Sequence, residues 1–374
     1  MPRLDARDEE RLIRLSRALI DQQRARVIVP ANQAAAGFWF GGGNLMDSGD
    51  GRLWLVGRYR NAGDSRTGLG AGERGLELAV FCSRDRGGSF EKVVSLAKQD
   101  LNVEGRTVLS IEGTALHACD GGVELFVSSE KSGIGYPAPF EDYLKPGTGV
   151  WTIDRLAAPT VEALADARPE TVLSCDDPRF VHVKDPFVCD LPSGDLALLF
   201  CTHPYCWTSS NTGYALRRRA SDALAPPVFD FFPRGVTWDV AMTRGTCVLE
   251  VPRVGPFAER PVSLLFYDGG ECVRNLDEHQ AAVSRPRGYS CEELGGLAYF
   301  SGDHFTGDHF TGIERLSRHA PMFVSPHGTG CSRYVDVLAA HDGLYATWQQ
   351  SQADGSQPLV ISHLSPTEVE SLLG

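Results

Sequence analysis

Apolar residues along most of the chain occur in short runs or alternate with polar residues, a pattern typical of β-strands. The runs are rich in β-branched and aromatic residues and are bounded by Gly, Asp or Pro. The pattern therefore predicts strands throughout the middle of the chain, and the clearest are RLWLVGR (52–58), LELAVF (76–81), VELFVSS (123–129), LALLFC (196–201), VSLLFY (262–267) and LYATW (344–348).

The two ends of the chain are predicted to be helical. Over residues 6–24, apolar residues recur at helical spacing among charged ones, which indicates an amphipathic helix that packs on the outside of a larger body. Near the other end, Ser365 and Glu368 have the spacing of a capping box ahead of VESLL. We therefore assign residues 1–24 to an N-terminal helix and residues 365–374 to a short C-terminal helix.

The predicted strands are arranged as repeated hairpins. Four pairs of strands are separated by turn signals that end in glycine, at Asp50-Gly51, Asp120-Gly121, Ser193-Gly194 and Asp342-Gly343. Counting nine residues back from these glycines gives equivalent positions, namely Gly42, Glu112, Asp185 and Tyr334. If the first hairpin is shorter, Asn44 rather than Gly42 occupies the equivalent position. A fifth hairpin, which begins with TWDVAMTRGTCVLEV, is longer, and its equivalent position is Arg244 or Thr246.

Five such hairpins predict a β-propeller. They start near residues 44, 112, 185, 245 and 334, and the spacing of roughly 60 to 90 residues allows four strands in each unit. The last unit lacks a fourth strand, whereas ARVIVPA (25–31) lies unpaired ahead of the first. We expect an all-β, five-bladed propeller over residues 25–364 whose ring is closed by strand 25–31. The alternative is a β-sandwich followed by a second β domain.

The composition is that of an ordinary globular protein, with 42% hydrophobic and 22% charged residues among 374. The formal net charge is −12, so the chain has no surplus of positive charge to attract nucleic acid or an anionic membrane surface. Neither is therefore an expected partner. The first residues are charged, and no later run approaches the roughly 20 apolar residues that span a bilayer. We therefore expect a cytoplasmic protein, and its ten scattered cysteines, which lack zinc-site spacing, are expected to be reduced.

The innermost strands of a propeller line one channel, so equivalent positions converge. The side chains expected to face one another are Asn44, Glu112, Asp185, Arg244 and Tyr334, with Arg333 beside the last. Two acids in neighbouring blades, Glu112 and Asp185, suit glycoside hydrolysis, in which one carboxylic acid protonates the leaving oxygen and one carboxylate activates water or attacks the sugar. The alternative is that these acids bond backbone amides and hold the blades together.

Two segments resemble known enzymes. IEGTALHACDGGVELFVSSEKSGIGY and VHVKDPFVCDLPSGDLALLF resemble two blades of the five-bladed glycosidases of glycoside hydrolase family 43 and its relatives of the arabinanase, invertase, levansucrase and mannoside phosphorylase types. The resemblance implies that Glu112 is the general acid and that Asp185 is the base or tunes the pKa of the acid. The chain departs from those families in one respect. They place the base in blade one and the glutamate in blade three, whereas here blade one offers Asn44 and the glutamate, Glu112, is in blade two.

A third carboxylate is therefore expected elsewhere. The candidates are Asp47, Asp64, Asp239, Glu292 and Glu293. Glu292 and Glu293 lie in the longest gap between hairpins, which suits either a loop that covers the substrate or a solvated acidic loop. We select Glu293 as the catalytic candidate.

A second resemblance concerns the Asp-box motif of sialidases. SRDRGGSF (83–90) matches this turn motif, whose role is structural. The arginines Arg58, Arg60, Arg66, Arg244 and Arg333 resemble the carboxylate-binding arginines of sialidases, and Tyr334 resembles their nucleophile. The resemblance leaves open a sialidase-like or lyase enzyme on an acidic sugar, or a glycan-binding propeller without catalysis.

Several other residues are candidates for binding. The polar stretch 56–75 is the best binding loop, with Arg58, Arg60 and Asp64 as substrate contacts, and His203 ends a strand of blade three. Lys184 is predicted to point away from the channel unless its strand bulges. Trp39 and Trp207 are candidate sugar-stacking faces.

The leading hypothesis is a glycoside hydrolase for a small carbohydrate, for which the arginines make an anionic sugar one option. No organic cofactor is expected. A metal ion stays open, because GDHFT occurs twice in tandem (302–306 and 307–311), although local duplication is the simpler account. The sequence does not predict the oligomeric state.

Overall fold

The computed structural model describes residues 3–61, 74–219, 221–270, 293–301, 305–306, 309–310 and 312–374. Helix α1 (Ala6–Leu19) has Asp5 as its N-cap, which accepts a hydrogen bond from the Asp8 amide at 2.8 Å. Its apolar stripe, Leu12, Leu15 and Leu19, is fully buried in the core of the last two blades. Within the described residues, no helix is long and apolar enough to cross a bilayer.

Between α1 and a C-terminal helix the chain forms strands, which group into five blades. Strand β1 (Arg26–Val29) comes first. Blade one contains β2 (Trp39–Gly41), β3 (Leu45–Asp47), β4 (Leu53–Arg60), β5 (Glu77–Ser83) and β6 (Glu91–Ala97). Blade two contains β7 (Val108–Cys119), β8 (Gly122–Lys131), β9 (Val150–Ala158) and β10 (Glu170–Leu173). Blade three contains β11 (His182–Asp190), β12 (Leu196–His203), β13 (Asn211–Arg217) and β14 (Val228–Phe232).

The remaining strands form blades four and five. Blade four contains β15 (Met242–Glu250), β16 (Val262–Gly270), β17 (Leu294–Ser301) and, after the short pair β18 (Phe305–Thr306) and β19 (His309–Phe310), β20 (Ile313–Arg315). Blade five contains β21 (Ser332–Ala340), β22 (Gly343–Gln350) and β23 (Leu359–Leu364), and helix α2 (Pro366–Leu373) follows, capped by Ser365 and Glu368. The predicted five-bladed propeller with a helix at each end is confirmed.

The ring is continuous around its axis. The innermost strands β3, β7, β11, β15 and β21 each contact the inner strands of both neighbouring blades. Strand β1 pairs antiparallel with β23, with Arg26 opposite Ile361, and thus supplies the outermost strand of blade five. The Arg26 guanidinium also donates to the Gly88 carbonyl of blade one at 3.0 Å, so the chain start joins the last blade to the first.

Every inner strand is interrupted at an equivalent point. The pairing register shifts after Ile111, Lys184, Gly245 and Arg333, and in blade one the strand is split between β2 and β3. Three residues here have left-handed backbones: Gly42 (φ 74°), Asp185 (φ 50°) and Tyr334 (φ 53°). This conformation costs little for glycine but is strained for tyrosine. Such bulges re-aim side chains, and strain of this kind clusters at functional sites.

The Asp box at 83–90 is a self-contained turn. Asp85 accepts hydrogen bonds from the Ser89 amide at 2.8 Å and from the Ser83 hydroxyl at 2.8 Å. Arg86, from the same turn, bridges Asp47 of blade one (2.8 Å) and Asp342 of blade five (Nε to Oδ2, 3.0 Å). The motif therefore stabilises the junction between the first and last blades, and Asp47 is engaged in that junction.

Candidate active site on the propeller axis

The interruptions of the inner strands bring charged side chains from all five blades together on the axis. Their bonds link them into one continuous set. We call this set the axial cluster, and it consists of Arg58, Arg60, Glu112, Asp185, Arg244, Asp268, Glu293, Arg333 and Tyr334.

Glu112 and Asp185, the acids selected from the sequence, lie side by side in this cluster. The amide of Gly113, the residue after Glu112, donates to Asp185 Oδ1 at 2.9 Å. The Tyr334 hydroxyl donates to the same oxygen at 3.4 Å and accepts from Arg58 Nη2 at 3.4 Å. The structure thus brings blades two, three and five to one point, as the repeat alignment predicts.

Glu112 is held by arginines of blade one. Arg58 donates to Glu112 Oε2 from Nε (3.2 Å) and from Nη2 (2.8 Å), and Arg60 Nη1 lies 3.9 Å from Oε1. Burial alone would raise the pKa of the Glu112 carboxyl, but the positive charges of Arg58, Lys184 and Arg60 outweigh it and hold that pKa below its usual value. In this arrangement Glu112 is a carboxylate.

Asp185 is also stabilised as a carboxylate. Besides Gly113 and Tyr334, its partners are Arg244 Nη1 at 3.1 Å and the Cys201 thiol at 3.5 Å from Oδ2. Burial acts to raise its pKa, but Lys184 and Arg244 outweigh burial and lower it. A carboxylate with several fixed donors is suited to act as a base or to stabilise developing positive charge.

Glu293 enters the cluster from blade four. A single parallel pairing of Leu294 with Ser332 joins blades four and five and places Glu293 beside Arg333. Glu293 accepts from Arg244 Nη2 at 2.6 Å and from Arg333 Nη1. These two arginines outweigh burial and hold the pKa of Glu293 well below its usual value.

Asp268, at the end of β16, belongs to the cluster although sequence reasoning does not select it. It accepts from Arg244 Nη2 at 2.7 Å and from the Tyr334 backbone amide at 3.0 Å, and it is fully buried. Burial raises its pKa to about 6 in spite of Arg244. Asp268 therefore fixes the strained backbone of Tyr334. The only signal for it in the sequence is a charged residue directly after the apolar run VSLLFY.

Tyr334 is surrounded by guanidinium groups. Its ring centre lies 4.0 Å from Arg244, 5.2 Å from Arg58 and 5.3 Å from Arg333, measured to the central guanidinium carbon. Burial raises the pKa of the phenol well above its usual value, against the opposing effect of Arg244. The hydroxyl is therefore a proton donor near neutral pH.

Lys184 departs from the orientation that strand alternation predicts. Because β11 bulges beside it, its ammonium lies 3.9 Å from Asp185 Oδ2 and 4.7 Å from the ring centre of Trp151. His203 lies nearby, with Nδ1 3.0 Å from the Ser209 carbonyl and its ring centre 4.6 Å from that of Trp207 at an interplanar angle of 34°. Burial lowers the pKa of His203 to about 3, so this imidazole is neutral.

The other candidates have different surroundings. Asn44 lines a cavity of about 310 Å³, counted with its opening to solvent, together with Asp185 and Tyr334. Its amide is fixed to the next blade, because it accepts from the Leu116 amide at 2.7 Å and donates to the Leu116 carbonyl at 2.9 Å. Asp239 is bonded to Tyr267 and Arg315 within blade four.

Some candidates lie outside the described residues, namely Asp64, Arg66, Glu292, Asp303, His304 and Asp308. Among the residues that are described, no group of three or more His, Cys, Asp or Glu side chains is placed to hold a metal ion.

Comparison with known proteins supports the fold. No family model and no curated protein matches the sequence. Among solved structures, the chain is similar to a GH43_1 enzyme from Xanthomonas citri in complex with xylose, with 12% identity, a TM-score of 0.52 and coverage of 97% of this chain and 94% of that one. It is also similar to an α-L-arabinofuranosidase from Lactobacillus brevis (13% identity, TM-score 0.55, coverage 89% and 92%) and to an arabinanase from Bacillus subtilis (11%, 0.52, 90% and 97%). The resemblance to the family 43 propellers inferred from the sequence therefore holds for the fold.

Proposed function

We propose that this protein is a glycoside hydrolase that acts on a small carbohydrate bound at the axial cluster. The observation that carries the proposal is the meeting of three carboxylates, Glu112, Asp185 and Glu293, from three different blades around one axis. Asp185 is in addition held on a left-handed backbone, a strained conformation of the kind that clusters at active sites. The similarity in fold to family 43 enzymes supports the same chemistry.

Glu112 is the proposed general acid and Asp185 the proposed base or modulating carboxylate. Hydrolysis needs one carboxyl to donate a proton to the leaving oxygen, while a second stays ionised. The donors around Asp185 keep it ionised, which suits the second role. Glu112 has fewer fixed donors, so its proton affinity depends mainly on the charges of Arg58, Lys184 and Arg60, and it rises when a bound ligand offsets them.

Glu293 is the proposed third carboxylate. It lies between Arg244 and Arg333, and its side chain is 20% exposed, more than that of Glu112 or Asp185. This position suits a residue that meets substrate or an attacking water. Arg58, Arg244 and Arg333 bind carboxylates of the cluster, whereas Arg60 lies 3.9 Å from Glu112, so Arg60 is the arginine that favours an anionic sugar over a neutral one.

A second candidate function uses Tyr334. Its hydroxyl lies between Arg58 Nη2 and Asp185 Oδ1, each at 3.4 Å, so Asp185 is placed to take its proton. A sialidase-like or lyase enzyme would use this phenol on an acidic sugar. The raised pKa of Tyr334 favours the carboxylate mechanism, because a phenol that stays protonated near neutral pH is a poor base.

The test is a screen of chromogenic glycosides, neutral and acidic, with and without phosphate. On any substrate found, Glu112→Gln is expected to lower kcat by roughly 10² to 10⁴-fold, the usual contribution of a positioned acid. The matched control is Asp190→Asn, at the far end of β11 with a largely exposed side chain, which is expected to leave kcat unchanged. Full activity of Glu112→Gln would remove the acid assignment, and glycan binding without turnover of any substrate would favour a non-catalytic propeller.

A further inference from the structure

Arg60, the last residue of β4, differs from the other arginines of the axial cluster in its hydrogen bonding. Its side chain is 5% exposed, and the Glu112 carboxylate lies 3.9 Å from Nη1. The Nε and Nη2 atoms are both buried and have no hydrogen-bond partner within the part of the chain that the structure describes. Buried polar atoms are nearly always paired, so two adjacent donors without a protein partner mark a place where water or an acceptor group of a ligand binds.

The open atoms of Arg60 form the edge with which this protein holds carboxylates elsewhere in the cluster. Arg58 uses Nε and Nη2 to bind Glu112, at 3.2 and 2.8 Å. Arg244 uses the same edge to bind Asp268, at 3.2 and 2.7 Å. Among the described residues, none occupies this edge of Arg60. Because Arg58 and Arg244 each bind a carboxylate through this edge, we expect Arg60 to take a carboxylate as well.

The surroundings of Arg60 add donors and positive charge. The ring centre of Trp39 lies 4.4 Å from the Arg60 guanidinium and 4.3 Å from that of Arg333. The indole Nε1 of Trp39 is buried and has no partner among the residues the structure describes. Burial, with repulsion from Arg58, Arg333 and Arg74, lowers the pKa of Arg60 to about 10 despite the attraction of Glu112. The charge of Arg60 is therefore incompletely compensated by the protein, and an anion would complete it.

We infer that Arg60 binds a carboxylate carried by the substrate, which makes the substrate a glycoside of a carboxylated sugar such as a hexuronate. The inference rests on the proposed function for the glycoside and on the Arg60 contacts for the carboxylate. A negative group bound at Arg60 lies close to Glu112. It therefore offsets the positive charges that lower the pKa of the Glu112 carboxyl. Binding of the charged sugar thus raises the proton affinity of the proposed acid, and a neutral sugar does not.

The experiment measures binding of free sugars by isothermal titration calorimetry. The probes are glucuronate and galacturonate, their neutral parents glucose and galactose, and glucose 6-sulfate as a tetrahedral anion. At least one hexuronate is expected to bind the wild-type protein tenfold or more tightly than its parent and more tightly than the sulfate. Arg60→Met is expected to abolish this preference through a loss of affinity for the hexuronate.

Two further variants separate recognition from folding. Arg60→Lys keeps the charge but lacks the paired N–H edge, and is expected to lose most of the preference. Arg52→Met, at the residue before the first residue of β4, removes an arginine that pairs with Asp50 outside the cluster. This variant is expected to keep the preference for the hexuronate. In the absence of sugar, Arg60→Met is expected to melt no lower than wild type, because it removes unpaired buried donors.

The outcomes distinguish this inference from the proposed function. If no hexuronate is preferred, if the sulfate is preferred, or if the preference survives in Arg60→Met, the assignment of Arg60 is wrong, whatever the protein hydrolyses. If Arg60→Met melts several degrees lower and Arg60→Lys keeps the preference, Arg60 is structural and the assignment is also wrong. If hexuronates bind through Arg60 but no glycoside is cleaved, the inference stands and the hydrolase proposal fails.

Discussion

The hydroxyl of Tyr334 donates to Oδ1 of Asp185 at 3.4 Å, although 149 residues separate the two in the chain. Both residues occupy the bulge of an inner strand, in blades five and three, and both have left-handed backbones with φ of 53° and 50°. In blades three and five the bulge thus turns one side chain towards the axis. In blade one the same position is Gly42, so blades three and five supply the functional groups there and blade one supplies none.

Replacing Tyr334 by Phe separates the two candidate mechanisms. The bond to Asp185 is long, and its loss is expected to lower kcat by less than about tenfold, since a hydrogen bond of this kind contributes roughly 1 kcal/mol. A phenol that acts as nucleophile would instead be indispensable, and its removal would abolish turnover. The measurement is kcat on the best substrate of the glycoside screen.

The control for this variant is Tyr345→Phe, which removes a hydroxyl bonded to Asp342 in the same blade but outside the axial cluster. It is expected to leave kcat unchanged. A loss of three orders of magnitude in Tyr334→Phe alone would establish the tyrosine mechanism in place of the carboxylate one.

The sequence predicts the blades because each hairpin is a local pattern that recurs. Counting from the turn glycine finds Gly42, Asp185 and Tyr334, which have in common a positive φ in the structure. The alternative register at Asn44 leads instead to a side chain fixed to the Leu116 backbone. A fixed count works here because the hairpin and its bulge have the same length in these blades.

Other parts of the site depend on contacts that no local pattern encodes. Strict alternation predicts that Lys184 points away from Asp185, but the bulge breaks the period of two, and both side chains lie at the site. Asp268 joins the cluster because β16 lies beside the Tyr334 amide, which only the assembled ring determines. The sequence shows that residue 60 is an arginine, but only the folded structure shows that its Nε and Nη2 atoms have no partner among the described residues.

Trp207 is expected to form part of the sugar-binding surface. It is 40% exposed, has a left-handed backbone (φ 55°), and its ring lies 4.2 Å from that of His182, beside the axial cluster. Trp207→Ala is expected to raise KM roughly tenfold, the equivalent of about 1.4 kcal/mol of lost contact, with kcat changed less than about twofold.

The matched variant is Trp207→Phe, which keeps an aromatic face and is expected to recover most of the affinity. Because the side chain is exposed, both variants are expected to melt within about one degree of wild type. An unchanged KM in Trp207→Ala would show that substrate does not reach this side of the cluster.

Asp336 makes the stability of the fold depend on pH. It lies on β21, and its Oδ2 accepts from the Leu45 amide of blade one at 2.7 Å. Burial raises its pKa to about 7, against an ordinary value of 3.8. A carboxyl whose pKa is higher in the folded state favours folding while it is protonated. This contribution is complete below about pH 4 and is lost as the pH rises through about 7.

Asp336→Asn is therefore expected to gain in melting temperature relative to wild type as the pH rises from 4 to 7, and the gain should level off above pH 7. The neutral amide can still accept from Leu45, so the variant keeps the bond and removes only the ionisation.

Asp195→Asn serves as a control of opposite sign, because the Arg219 amide and Arg218 lower the pKa of Asp195. Its expected loss of stability is present at neutral pH and disappears as the pH falls through the acid range. A difference between Asp336→Asn and wild type that stays constant from pH 4 to 8 would mean that the Asp336 carboxyl ionises as in the unfolded chain.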